Sequence, residues 1–313
     1  MYALGTFVRD DEQPFPGLVI DGERVVDLSG YGWRDTNHIL SRWATAHAVL
    51  DRLTDGAGDV PLDELRTLAP LEPNQILQSG ANYRKHVMDL IVAEELERGS
   101  MSREQAQAMG AQVMEERIAA GEPYVFLGAA SAVSGPYDDV VLPHRGEQHD
   151  WELELAAVIG VGGRHIPRHE ALGHVAGYTI ANDLTTRDLV YRPDLKAIGS
   201  DWLRAKNAPT FLPLGPWIVP AEFVADPQNL AITLSVDGEL MQDESTADMI
   251  FDVATLVSYA SSLVALRPGD VILTGSPAGN GMHHRRFLRP GDVIEASITG
   301  LGSQRNVCVG EAQ

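Results

Sequence analysis

From Tyr124 onward the chain breaks into short runs rich in β-branched residues, among them VVLP, LELAAVIGV, GYTIAND, LGPWIVP, AITLSVDG, VILTG and VIEASITG. Each run is closed by Gly, Pro, Asn or Asp, the punctuation of strands joined by tight connections. One clear helical run interrupts them, DMIFDVATLVSYASSLVAL, with its apolar residues at helical spacing. Many strands with few helices predict a mainly β, α+β fold built on a β-roll or barrel-like core, and argue against a doubly wound sheet.

Ahead of this region, ALGTFV and GLVIDGERVVDL read as strands around an Asp-Gly turn, followed by a helix from about His38 to Leu53 and an acidic, glycine-rich break at residues 55–59. These pieces predict a small N-terminal α/β domain over residues 1–70, with the two prolines of LAPLEPNQI marking a linker into a main domain over 71–313. Between Val87 and Ala120 the composition predicts two helices split near Gly99, the second opened by a capping box of Ser102 and Gln105.

Charge narrows the classes of function. Against 24 Lys and Arg stand 44 Asp and Glu, a formal charge of -20, which argues against a nucleic-acid partner. No apolar run approaches the roughly 18 residues that span a bilayer, so no membrane partner is expected. The start, MYALGTFVRDDEQ, lacks a basic stretch followed by an apolar one, which makes the cytoplasm the expected location. Cys308, the only cysteine, lies in the apolar alternation of VCVG and is expected to be a buried structural thiol.

In HDWELELAAVIG, Glu152 and Glu154 alternate with Leu153 and Leu155. On a strand the two carboxylates share one face, where they repel each other unless a cation lies between them. Hard divalent ions take oxygen ligands, and Asp183, at the end of the apolar run GYTIAND, is the candidate for a third. An E-x-E alone more often describes a solvated strand face. In SGANYRKHVMDL, His86 precedes Asp89 by three residues, so on a helix the carboxylate can orient the imidazole as a base, although a surface pair has the same spacing. The other singled-out histidines, His165, His169, His174, His283 and His284, read as structural or exposed. Lys206 precedes a Pro-rich stretch, where it can hold a substrate carboxylate or stabilise an enolate if the site is enclosed.

Taken in order, SGANYRKH, DWELELAAVIG, GYTIANDLTTRD, KNAPTFLPLGPW, SVDGELMQDESTADMIFDV and GDVILTGSPAGNG resemble the fumarylacetoacetate hydrolase superfamily from about residue 74 to 308. The resemblance implies a β-roll catalytic domain, a homodimer, and Mg²⁺, or Mn²⁺ or Ca²⁺ in its place, on Glu152, Glu154 and Asp183. It further implies His86 with Asp89 as the base on a helical segment, Lys206 beside the metal, and Tyr83 and Ser276 as substrate contacts. Several positions depart from the family pattern: Asp89 stands where Glu is usual, Gly128 where many members have Lys, Pro209 for Asp, Val190 for Gln and Ser276 for Thr. The stretch 90–122 is longer than in compact members, which implies a helical lid or a dimer contact.

The reaction expected from this resemblance is metal-assisted hydrolysis of a C–C bond in a small 2,4-diketo acid or acylpyruvate. Decarboxylation, isomerisation or hydration of a 2-oxo acid on the same metal site is the alternative, and a non-catalytic relative that keeps the fold is a third.

Overall fold

The computed structural model describes residues 1–9, 13–54, 59–99, 101–197 and 199–312. Three sheets carry most of the architecture, and strand outweighs helix. Most of the expected break at 55–59, residues 55–58, lies outside the described residues.

The first sheet has five strands in the order Asp59–Pro61, Arg24–Asp27, Phe15–Ile20, Tyr2–Val8, Arg66–Leu68. One hairpin, Phe15–Ile20 with Arg24–Asp27, reads directly from the Asp-Gly turn, where Asp21 and Gly22 both take positive φ. The helices Thr36–Leu40 and Trp43–Leu53 pack on it through Ile39, Leu40, Ala46 and Leu50. Although this sheet is made within residues 2–68, it shares its apolar core with the rest. Leu4, Leu18, Ile39 and Leu40 cluster with Ala156, Val158 and Val271, and Leu4 exchanges two backbone hydrogen bonds with Ile218, 2.8 and 2.7 Å.

The central sheet has six strands, ordered Val219–Pro220, Val175–Asn182, Leu153–Ile159, Val271–Leu273, Ile76–Gly80, Tyr124–Gly128. Leu153–Ile159 lies in its middle and is buried on both faces, so its near-continuous apolar run reflects position rather than amphipathic patterning. A third, five-stranded sheet runs Glu239–Ser245, Ala231–Val236, Val293–Ile298, Gly302–Gly310, Val140–Leu142. Cys308 is buried in it, and burial pushes its thiol up to about 12.

The helix Val253–Leu263, capped by Asp252, occupies the middle of the expected helical run and starts five residues later than that run. Residues 84–120 form a hairpin of two helices, Arg84–Arg98 and Arg103–Ala120, divided at the left-handed Gly99. Ser102 Oγ and Gln105 make the complete reciprocal cap. The second helix leans on the body where the Arg117 guanidinium lies over the Phe251 ring, and the first turn of the first helix carries His86.

Candidate metal centre

The ladder between Leu153–Ile159 and Val175–Asn182 pairs Leu153 with Asn182, which places Glu152 and Asp183 opposite each other one residue beyond it. Two bonds lock the pair: Asp183 N–H donates to the Glu152 carbonyl (2.9 Å) and Glu152 N–H to Asn182 Oδ1 (3.0 Å). Glu152 thus precedes the strand rather than sitting on it. Two residues on, Glu154 emerges on the same side, while Leu153 and Leu155 are fully buried in the apolar cluster. Carboxylate oxygens of Glu152, Glu154 and Asp183 lie within 4.8 Å of one another, with 8%, 1% and 2% of these residues exposed.

Glu154 is held by the loop after Val271–Leu273, where Gly275 N–H donates to Glu154 Oε2 at 2.6 Å. Gly275 has φ +89°, and a Cβ there would lie 3.0 Å from Asn82 Cβ, so both backbone freedom and close approach require glycine. Asp183 Oδ1 accepts from Gln78 Nε2 (2.7 Å), on the strand Ile76–Gly80 three places along the sheet from Val175–Asn182. Gly128, across the sheet, makes room for that amide, since a Cβ would lie 3.0 Å from Gln78 Oε1.

Two buried cations balance part of the charge. Lys206, at the end of the short helix Trp202–Lys206, gives its three protons to Glu152 Oε2 (2.5 Å), Asp183 Oδ2 (2.7 Å) and the Asp183 carbonyl (3.2 Å). Arg187 donates to Glu152 Oε1 (2.5 Å) and Asp150 Oδ2 (2.7 Å). Four buried carboxylates therefore face two cations, leaving two negative charges that a divalent ion would neutralise. The protonation equilibria carry the same message. Burial, together with the charges of Asp183 and Glu152, pushes Glu154 well above the usual carboxylate range. Burial also raises Asp183 to about 6 against the opposing pull of Lys206. For Glu152 burial acts upward too, but Arg187 and Lys206 hold it at about 2. An all-oxygen set with two destabilised carboxylates fits a hard divalent cation. Beside it, Gln78 Oε1 and Asn182 Nδ2 are buried without hydrogen-bond partners.

His86 is 8% exposed, and burial lowers its pKa to about 4, so the imidazole is neutral at pH 7. The expected His86–Asp89 pair is not made. Asp89 turns its half-exposed side chain toward His283 instead, with Oδ2 3.9 Å from His283 Nε2. His283, read from sequence as structural or exposed, is mostly buried, and its ring centroid is 5.4 Å from that of His86. Tyr83 is fully buried with no hydrogen-bond partner for its hydroxyl. Ser276 Oγ is committed inward, accepting from Gln242 Nε2 (3.1 Å) and Asn280 Nδ2 (3.1 Å), so its hydroxyl braces the loop rather than projecting as a free substrate contact. Lys206 likewise spends its protons on the acids. Sequence reasoning missed Asp150, Arg187, Gln78 and His283. Arg187 lies inside the quoted motif GYTIANDLTTRD, and His283 lies two residues after GDVILTGSPAGNG.

Residues 75–309 match the family described as fumarylacetoacetate (FAA) hydrolase C-terminal. A fumarylacetoacetate hydrolase domain-containing protein 2 of Pongo abelii is 45% identical over 183 residues, covering 58% of this chain and 57% of that protein's length. An oxaloacetate tautomerase of Rattus norvegicus is 34% identical over 299 residues, 93% of this chain and 86% of the relative. The crystal structure of a maleylpyruvate hydrolase from Sphingobium sp. SYK-6, in complex with manganese(II) and pyruvate, superposes with a TM-score of 0.75 at 27% identity, covering all of both chains.

Proposed function

The chain belongs to the fumarylacetoacetate hydrolase family, and on that premise we propose that this enzyme moves a proton between the keto and enol forms of a small dicarboxylic 2-oxo acid, oxaloacetate being the first to test. One observation carries the reading: a buried imidazole, neutral at pH 7, stands beside a three-carboxylate centre without the carboxylate partner that would make it a strong base toward water. Proton exchange with carbon requires a proton acceptor that is unprotonated at neutral pH and an electrophile for the oxygen, whereas hydrolysis also requires an activated water.

A divalent cation held by Glu152, Glu154 and Asp183, Mg²⁺ or Mn²⁺, would act as Lewis acid toward the paired oxygens of a 2-oxo acid and so acidify the adjacent carbon. Gln78 and Gly275 fix the Asp183 and Glu154 carboxylates, so the set is preorganised. Arg187 keeps Glu152 ionised. Lys206, which now shares its protons between Glu152 and Asp183, would present its charge to the oxygen on which the electrons collect. His86 would take the proton from carbon and return it in the reverse direction.

The likeness to the maleylpyruvate hydrolase favours C–C hydrolysis as a second reading, because cleavage of an acylpyruvate also leaves an enolate. The two separate in one pair of assays with Mn²⁺ or Mg²⁺: ultraviolet loss of the oxaloacetate enol, and pyruvate release from acylpyruvates. Enol loss accelerated above a Glu152→Gln control, without pyruvate, is the expected result. Pyruvate release alone would replace the tautomerase reading, and neither signal would overturn both.

A further inference from the structure

We propose that His283 is a positioning residue for His86, linking its imidazole to the Asp89 carboxylate that the helix itself does not bring to it. The inference rests on the reading of His86 as the proton carrier. The two rings meet edge to face, with centroids 5.4 Å apart and planes at 62°, and His283 Nε2 lies 3.9 Å from Asp89 Oδ2. Asp89 and His86 share one face of their helix, yet the carboxylate goes to His283.

Three ring nitrogens bear on the same point: His86 Nδ1 and both nitrogens of His283 are buried without a hydrogen-bond partner. Buried imidazole nitrogens without partners are costly, and histidines that serve as packing alone ordinarily bond a carbonyl or hydroxyl. His174 does so here through Val161 O at 2.7 Å, and His149 through Thr186 Oγ1 at 3.0 Å. His86 and His283 do neither, and they face each other.

The segment that presents His283 is itself built into the metal centre. It is the short helix Gly281–His284, whose Gly281 N–H donates to Asp150 Oδ1 at 2.5 Å. The other oxygen of Asp150 accepts from Arg187, and Arg187 holds Glu152. On the other side, Asn280 Nδ2 donates to the Trp151 carbonyl (2.9 Å), next to Glu152 in sequence. A chain of direct bonds thus fixes the backbone of His283 relative to the Glu152 carboxylate. An imidazole that both takes and returns a proton must keep one orientation and one tautomer, and a second ring backed by a carboxylate supplies both.

The test uses the full-length, Mg²⁺-loaded protein in two arms. In the first, ¹⁵N NMR of the histidine rings reads His86 in the wild type, His283→Ala, His283→Gln and Asp89→Asn. A single His86 tautomer in the wild type that becomes a mixture in His283→Ala and Asp89→Asn, with Gln closer to the wild type, is the expected result. An unchanged His86 spectrum in both His283 variants, each of which still binds Mg²⁺, would overturn the proposal. In the second arm, kcat for the keto acid falls roughly 10–100-fold in His283→Ala with KM nearly unchanged, a fraction of the effect of a general base, and added imidazole restores part of it. A KM effect alone would contradict positioning. Because the NMR arm needs no turnover, an inactive wild type would count against the proton-transfer reading, while the link between the two rings would stand or fall on the spectra.

Discussion

At the scale of single residues, the account turns on how each carboxylate is held. Gln78 is not one of the three candidate ligands but donates to Asp183 Oδ1. Gln78→Ala should therefore weaken Mn²⁺ binding by about 10–100-fold, the usual cost of losing a group that orients a ligand, as titration calorimetry would read. Lys206 is 4% exposed and bridges two acids. Removing it leaves buried charge uncompensated, so Lys206→Met should lower stability by roughly 3–5 kcal/mol in EDTA, and divalent cation should recover much of the lost Tm. An unchanged Tm in EDTA would mean that the pair is not balancing charge as described. Glu152, Glu154 and Asp183 were legible because period-two alternation and a strand end nominated them and the family motifs around them turned that weak local signal into a set. Arg187 and Asp150, 37 residues apart, were not, since they meet only when His149–Asp150 pairs with Thr185–Thr186 in a short ladder. The Asp89 expectation failed for a related reason: helical spacing says which residues share a face, not which way a short side chain turns.

Among the elements, those with strong periodicity or punctuation were readable and the others were not. The helix Val253–Leu263 and the split at Gly99 followed from apolar spacing and capping chemistry. The strand Ile76–Gly80 escaped because it buries Gln78 and Ser79 in the middle of an apolar sheet, and Glu239–Ser245 because it is a polar edge strand. The helices Trp202–Lys206 and Gly281–His284 are too short to show a period, yet they present Lys206 and His283. The reciprocal cap at Ser102 gives a test confined to one element. Ser102→Ala should cost the helix Arg103–Ala120 about 0.5–2 kcal/mol, seen as faster amide exchange over 103–120. Mn²⁺ affinity should stay unchanged, because that helix contributes none of the acids. Slower binding or lost affinity in this variant would tie the hairpin to the metal centre more closely than its contacts indicate.

For the molecule as a whole, the turn-punctuated strands made the β-rich class readable, whereas the shared core of the first sheet and the body was not, because it depends on contacts such as Leu4 with Ile218. The cost of gathering acids in that interior should be visible in pH dependence. Asp183 titrates near 6 without a cation and Glu154 is raised further, so a divalent ion must displace protons as pH falls. Cation affinity should then drop by about tenfold per pH unit below 6 for each proton displaced, and the rise in Tm produced by excess Mn²⁺ should be larger at pH 8 than at pH 5. His86 does not blur this window, since burial lowers its pKa to about 4 and it stays neutral above that. A thermal shift that is flat or larger at pH 5 would contradict the assignment.

The most direct measurement is titration calorimetry of Mn²⁺ into metal-stripped protein, with Glu152→Gln, Glu154→Gln and Asp183→Asn alongside. The convergence of the three acids predicts one ion per chain in the wild type and loss of that binding in each variant. No uptake by the wild type, or full stoichiometry retained when all three acids are replaced together, would contradict it.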